Sequence, residues 1–561
     1  MFLQSNPLNE NEFWRSRLLP PLLLIALAFP LLGWASGSLP LTGPDEPRYA
    51  SIGRAMLESG DYVTPRLAGQ PWFEKPALTY WLMAVSYRIF GINEFAARFP
   101  SILLALLAIL AIYFTAERFI SPQAALVGAL SLETSVGFIV FSRAAATDMI
   151  LTATLAFALC AFLLSEQAAQ VGESSARLID RRWFWLFLFY FSIGLTILAK
   201  GLAGIALGGG IIGLYLIIVG RLWRFLGLHI LWGAVVVLAV SATWYGPVIA
   251  RHGYPFIQEF FIQHHFARYT TNKYHHPGPF YYYVIAIIVA VFPFSFLLPI
   301  SVWRFRARDY FKESLNQQNS WRIFALLWTL FPVIFFSFSG SKLPAYILPA
   351  VPGAALLMTT DFDDLWSGRA KRSQWMAFAL IAILIVGGGI AMPFLKKINI
   401  DLQMRIALAV VMIAAGIAIF MGSLRRLKAT VIATFTIMVV LVLVVGVAIQ
   451  PQITERQSVR PLATFAARVR QPNEPIVFSG DLPRIVHGFT FYTDSRITYD
   501  EDTHGLTLEQ VADEAVKNGS ILCVTNDQQS LALAADRRLN VEVLGRQHNI
   551  LLVRVTYNKQ Q

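Results

Sequence analysis

The segment Gly43-Pro44-Asp45-Glu46-Pro47-Arg48-Tyr49 sets two adjacent carboxylates beside a guanidinium, and Trp72-Phe73-Glu74-Lys75-Pro76 adds a second acid–base pair. Asp148 opens an apolar run just after Arg143, and Lys200 separates two more. Residues 251–279 carry His252, His264, His265, Arg268, Lys273, His275 and His276, and Ser339-Gly340-Ser341-Lys342-Leu343-Pro344-Ala345-Tyr346 lies farther on. Carboxylates mixed with lysines and arginines suit an anionic substrate that also presents polar or cationic groups. Phosphate is the natural candidate, since lysine offers it a point charge and arginine a bidentate fork. Neighbouring carboxylates can bind sugar hydroxyls, pair with an ammonium, or act as a base.

The elements that must position these residues are membrane helices. The chain has 561 residues, 56% of them hydrophobic and only 14% charged. Its mean hydropathy is +0.55. Apolar stretches near 20 residues recur from Leu18 to Ile449, which excludes a soluble enzyme, a disordered chain and a coiled coil. Residues 1–17 are polar and contain Glu10 and Glu12, so the first apolar run reads as an anchor rather than a cleaved leader.

Arg15 and Arg17 place the N-terminus in the cytoplasm, and the first span runs over about 18–34. Ala77–Phe90 is too short and is interrupted by Arg88, so it is predicted to lie at the outer boundary as an amphipathic helix. Further spans are predicted near 98–117, 124–141, 148–165, 183–199, 201–219, 226–249, 280–302, 321–338, 344–360, 375–393, 403–422 and 428–449, about thirteen in all. With that parity, the clusters at Arg181-Arg182, Arg221 with Arg224, Arg304 to Arg308, Arg369 to Arg372 and Arg425 to Lys428 all face the cytoplasm. If Ala77–Phe90 crossed, nearly all would face outward. The net charge of +12 is thus the charge of loops between spans and needs no nucleic-acid partner. An odd count exports residues 451–561, whose apolar runs at Ile476–Phe478, Ile521–Val524, Val541–Leu544 and Leu551–Val555 alternate with helical spacing and predict a small α/β domain. That domain either shields the membrane part or helps a partner dock.

All the unusual charges then fall at outer ends of spans, which predicts one cavity near the outer boundary. No P-loop is present, and no nucleotide sugar is available outside the cell. Transfer there needs a lipid-linked donor. Cys160 and Cys523 sit in apolar runs and read as buried free thiols, without a redox or metal role.

An Asp45-Glu46 pair in the first outer loop, many spans and a soluble tail resemble the GT-C glycosyltransferases. The motifs Pro44-Asp45-Glu46-Pro47-Arg48-Tyr49-Ala50, Phe73-Glu74-Lys75-Pro76 and Ser341-Lys342-Leu343-Pro344-Ala345-Tyr346-Ile347-Leu348-Pro349 are similar to those of the bacterial lipid A aminoarabinose transferases, glycosyltransferase family 83. The likeness covers about residues 1–450. This chain has Asp-Glu-Pro-Arg-Tyr where the best-known member has Asp-Glu-Thr-Arg-Tyr. The resemblance implies an all-α polytopic membrane domain of GT-C type over 1–450, with juxtamembrane helices in a first periplasmic loop at 36–97, and a periplasmic α/β domain at 451–561. It implies transfer of 4-amino-4-deoxy-L-arabinose from undecaprenyl phosphate to lipid A phosphates at the periplasmic face of the inner membrane, giving resistance to polymyxin and cationic peptides.

Under that resemblance the leaving phosphate needs fixed cations. Lys75 comes first, then Arg268 and Lys200, then Lys342, with Tyr346 as a hydrogen-bonding partner. The alternatives are headgroup contacts, a helix cap or an interfacial aromatic. Asp45 either orients the sugar and stabilises charge at its anomeric carbon or, for a hydroxyl acceptor, serves as a base. Asp148 is the second catalytic carboxylate, or else an N-cap. Glu46, Arg48 and Tyr49 line the cavity or brace the loop. No cofactor is required, although Glu74 with His265 or His264 can be drawn as a divalent metal site such as zinc; no HxxxH or HExxH spacing supports it. The competing readings are a protein O-mannosyltransferase or other envelope glycosyltransferase, and a transporter.

Overall fold

The computed structural model describes residues 18–171, 176–223, 228–267, 278–316, 318–395, 401–446, 458–482, 488–493, 497–498 and 505–558. Their contacts divide the chain into two compact units. The first is Met1–Trp34, Glu74–Leu78 and Pro100–Ile449, and the second is Ala35–Phe73, Thr79–Phe99 and Gln450–Gln561. The first outer loop, assigned from sequence to the membrane domain, therefore groups largely with the C-terminal residues.

The first unit is helical because hydrocarbon offers no partner for a bare peptide group, and a helix satisfies its own. Among the described residues eight helices are long and apolar enough to span a membrane, and the pair Pro122–Glu133 and Val136–Ser142, bent by 56°, makes nine. Three shorter apolar helices, Leu19–Gly33, Leu202–Ile218 and Trp321–Ser337, coincide with predicted spans. The chain is a multi-pass membrane protein. The predicted span at 280–302 is not one helix but two pieces, Tyr282–Ala290 and Leu297–Trp303. Pro293 lies between them and brings no N–H to continue the ladder. The free carbonyl of Phe292 instead accepts from Val136 N at 2.9 Å, at the break of the bent pair. Small residues let helices close on each other: a Cβ at Gly233 would lie 2.1 Å from the Tyr190 ring. Leu78–Phe90 is a helix of 13 residues, short of a span.

The second unit holds the helix Asp45–Ser59, a two-stranded hairpin of β1 (Arg66–Leu67) and β2 (Gln70–Pro71), and a five-stranded sheet. The sheet's strands are β3 (Ile476–Phe478), β4 (Ile497–Thr498), β5 (Ser520–Thr525), β6 (Leu539–Gln547) and β7 (Ile550–Tyr557), in the order β4-β3-β5-β7-β6. β3 runs parallel to β4 and β5, while β7 is antiparallel to β5 and β6. Alternation along β5 sends Leu522 and Val524 to one face, against Leu462 and Ala466 of the helix Arg460–Val469. Ile521 and Cys523 point to the other, against Val511 and Ala515 of the helix Leu508–Asn518. All four strand-like runs read from the sequence are strands. Both cysteines are buried and free, and burial pushes the Cys523 thiol up to about 12, far from a reactive thiolate.

Glu474 ties the sheet together. Its side chain, 1% exposed, accepts from Arg554 Nε at 3.0 Å and from Gln471 N at 2.9 Å, and Ser520 Oγ also donates to it. Burial alone would raise its pKa, but these donors hold it below the ordinary 4.5. A depressed carboxyl pKa contributes stability that is complete above the unfolded value and lost as pH falls through the folded one. Glu474→Gln is therefore expected to lower the stability of this domain by about 2 kcal/mol near neutral pH, since it takes the counter-ion from Arg554, whose side chain is only 16% exposed. Thermal melts of the full chain should show that deficit at neutral pH and show it shrinking in acid.

Candidate active site

In the first unit the predicted residues gather at the ends of apolar helices. Asp148 lies in the first turn of the helix Thr147–Val171, and Lys200 is the last residue of Ala176–Lys200. Both positions favour the charge they carry, an anion at a helix N-terminus and a cation at a C-terminus. The two are joined by a hydrogen-bonded ion pair, Lys200 Nζ to Asp148 Oδ1. Asp148 is thus an ion-pair partner within the first turn and not an N-cap. Beyond Lys200 the chain turns at Gly201, whose φ of +70° suits glycine, and starts the next helix.

Tyr346 comes from the 3₁₀ turn Pro344–Ala350 and lies under the same lysine, its ring centre 5.1 Å from Lys200 Nζ. An acid, a cation and a phenol from three distant segments are thereby brought together. Tyr346 also tilts against Phe336 at 5.2 Å, which limits its motion.

Lys342 is buried, and its ammonium donates to the carbonyls of Ser337 at 2.9 Å and Ser339 at 2.8 Å. Burial lowers its pKa from the usual lysine value. The turn that carries it is pinned at Leu343, whose N–H donates to Tyr283 Oη at 3.1 Å and whose carbonyl accepts from that hydroxyl at 3.2 Å. Glu74 and Lys75 are paired, Nζ to Oε1 at 2.7 Å, with each side chain 11% exposed.

In the second unit Asp45 opens its helix with a half-exposed carboxylate, 3.8 Å from Arg48 Nη1. Arg48 is buried and stacks on Trp72 at 5.1 Å. Glu46 takes Arg98 on both oxygens at 2.9 Å and also accepts from Thr42 N at 3.0 Å. Tyr49 is buried, 6.1 Å from the Tyr80 ring. Of the two roles open to these three residues, this geometry favours bracing the loop and leaves Asp45 as its outward acid.

Arg268 lies outside the described residues, as does the side chain of His265, and with them the drawn pairing of His265 or His264 with Glu74. Among the described residues no group of three His, Cys, Asp or Glu is placed to hold a metal ion.

A family profile described as Dolichyl-phosphate-mannose-protein mannosyltransferase matches residues 74–245. A Pseudomonas aeruginosa protein named undecaprenyl phosphate-alpha-4-amino-4-deoxy-L-arabinose arabinosyl transferase is 31% identical over 411 residues, which are 71% of this chain and 71% of that protein. The chain belongs to that arabinosyl transferase family. An Edwardsiella ictaluri member is 32% identical over 356 residues, 62% of this chain, and the chain spans 60% of that relative's length. The crystal structure of ArnT from Cupriavidus metallidurans bound to undecaprenyl phosphate matches with a TM-score of 0.80 at 25% identity, over 95% of this chain and 97% of that one. The resemblance read from the Asp-Glu and Lys-Leu-Pro motifs therefore holds, and with it the GT-C fold.

In this chain, sequence reasoning passed over two anchors of the Asp45 loop. Arg98, besides its Glu46 pair, donates to the carbonyls of Ser36 at 2.7 Å, Leu39 at 2.7 Å and Pro40 at 2.9 Å. Its signal was available: an arginine opening an apolar run is costly unless it is paired. Tyr492, whose hydroxyl accepts from Leu41 N at 3.0 Å, carries no signal at all, because its partner is 451 residues away.

Proposed function

We propose that this chain transfers 4-amino-4-deoxy-L-arabinose from undecaprenyl phosphate to the phosphates of lipid A, at the periplasmic face of the bacterial inner membrane. The observation that carries the reading is the Asp148–Lys200–Tyr346 cluster at helix ends, in a chain of this family. The orientation rests on the arginine and lysine clusters, which share one side when the span count is odd.

The reaction moves negative charge. A lipid A phosphate oxygen attacks the anomeric carbon of the sugar, a new C–O bond forms, and the bond to the carrier phosphate breaks with its electron pair. Undecaprenyl phosphate leaves. The acceptor is already anionic, so it needs no base. Lys75, Lys200 and Lys342 supply the fixed cations that stabilise charge on the leaving phosphate, with Tyr346 as a further donor. Asp45 meets the sugar's ammonium or the positive charge growing at its anomeric carbon, and Asp148 holds Lys200 in place. Arg268 and His265 complete the proposed substrate contacts. Water-excluding helices strengthen each of these interactions. The lipid carrier lies along the apolar surface of the spans.

Expression in a Gram-negative host lacking its own transferase, with the donor pathway intact, tests the reading by mass spectrometry of lipid A. One added aminoarabinose per modified phosphate, with restored polymyxin resistance, is expected. Unmodified lipid A with the protein inserted overturns it. A second reading, a polyprenyl-phosphate-dependent protein O-mannosyltransferase, is favoured by the profile over 74–245. Membranes incubated with polyprenyl-phosphate mannose and a protein acceptor would then yield glycosylated protein and no modified lipid A.

A further inference from the structure

Among the described residues, Asp45 has little of its own to hold it in place. Its carboxylate is half exposed, and its contact with Arg48 is a loose 3.8 Å. Where this acid points is set by its backbone, which is the start of the helix Asp45–Ser59 and the stretch leading into it. Within the second unit, the C-terminal residues grip that stretch and that helix at four places. Tyr492 Oη accepts from Leu41 N at 3.0 Å, four residues before Asp45. Arg460 Nη1 reaches the carbonyl of Ser38 at 3.4 Å and pairs with Glu94 at 3.1 Å. The carbonyl of Phe491 accepts from Arg54 Nη1 at 2.6 Å, lower on the same helix. Gly488 presses on Pro47 so closely that a Cβ there would come within 2.8 Å of the proline Cβ.

The short helix Phe489–Thr493 that carries two of these contacts is rooted in the sheet's core, where Phe489 packs with Phe478. Phe491 also meets Tyr87 at 6.3 Å, and Tyr87 in turn donates to Ala50 O at 3.2 Å. The sheet therefore holds the acidic loop through directional contacts, buried at Arg54, part-buried at Tyr492 and exposed at Arg460. A domain that merely shielded the membrane part would not need them.

We propose that Tyr492 and Arg460 are positioning residues for Asp45, so that the C-terminal domain holds the Leu39–Asp45 backbone in register. This rests on the reading of Asp45 as a working carboxylate. Its physical basis is that a misplacement near 1 Å can cost a large rate factor while the substrate still binds.

The test is Tyr492→Phe in the full chain, which removes one oxygen and keeps the ring. Losing the hydroxyl leaves the Leu41 N–H unpaired and is expected to lower kcat about tenfold with KM for the lipid donor within about twofold. Hydrogen exchange should quicken over residues 38–46 and stay unchanged in β5 and β7. Full kcat, a loss carried by KM alone, or faster exchange throughout the sheet would each overturn the proposal. Should Tyr492→Phe accumulate poorly, Arg460→Ala must show the same kcat loss and Arg460→Lys must regain most of it. Asp45→Asn run in parallel separates the two ideas. A fully active Asp45→Asn refutes the role of the acid itself, whereas an inactive Asp45→Asn beside fully active Tyr492 and Arg460 variants refutes only the positioning.

Discussion

Asp45→Asn is expected to slow aminoarabinose transfer about a thousandfold while the protein inserts and melts as the wild type does. The separation of effects follows from where the residue sits. Its side chain is 53% exposed at the first turn of a helix, and its ion pair with Arg48 is 3.8 Å long. Removing that charge forfeits a favourable interaction with the helix N-terminus, worth about 0.5 kcal/mol at an exposed site. The amide keeps the shape and a hydrogen-bonding oxygen. What disappears is the negative charge that answers the sugar's ammonium or the developing positive charge on its ring. Single-turnover transfer with the native lipid donor measures this directly. A rate within tenfold of wild type would remove Asp45 from the mechanism.

The second large effect is expected at Lys75. Lys75→Met should lower kcat/KM by about two to three orders of magnitude, because a fixed cation facing a departing phosphate acts most strongly where charge is growing. The lysine is also bound to Glu74 at 2.7 Å in a nearly buried pair, so the single variant removes a counter-ion of that carboxylate and adds a stability cost. The double variant Glu74→Gln with Lys75→Met removes both charges and isolates the chemistry. It should recover the thermal stability lost by the single change and remain inactive. Recovered activity in the double variant would mean that Lys75 serves only to neutralise Glu74.

How much of this was legible beforehand differs by element. The apolar runs became helices, two of them broken at 280–302 and 124–141, because hydrocarbon leaves the backbone no other way to satisfy itself over 20 residues. The four strand runs of the tail were legible through their buried apolar residues, with Ile521 and Cys523 facing one core and Leu522 and Val524 the other. The break at Pro293 could be read in outline, as a proline within an apolar run, but not its consequence. The freed Phe292 carbonyl finds Val136 only in three dimensions. The Asp-Glu, Phe-Glu-Lys-Pro and Lys-Leu-Pro motifs marked Asp45, Lys75, Lys342 and Tyr346. The partners of those residues were not marked.

The amino-acid order alone determined the helical membrane unit, the α/β tail, the family and the acids and cations worth testing. The family was read from the resemblance of its motifs; the others depend on hydropathy, periodicity or charge, and these are properties of neighbours along the chain. Only the tertiary structure decided that Asp148 holds Lys200 over Tyr346, that Glu46 is locked by Arg98, and that Tyr492 grips the backbone before Asp45. Those are contacts between residues separated by 52 to 451 positions. No local propensity encodes such a contact; it exists only once packing has paid the entropy of bringing the two ends together.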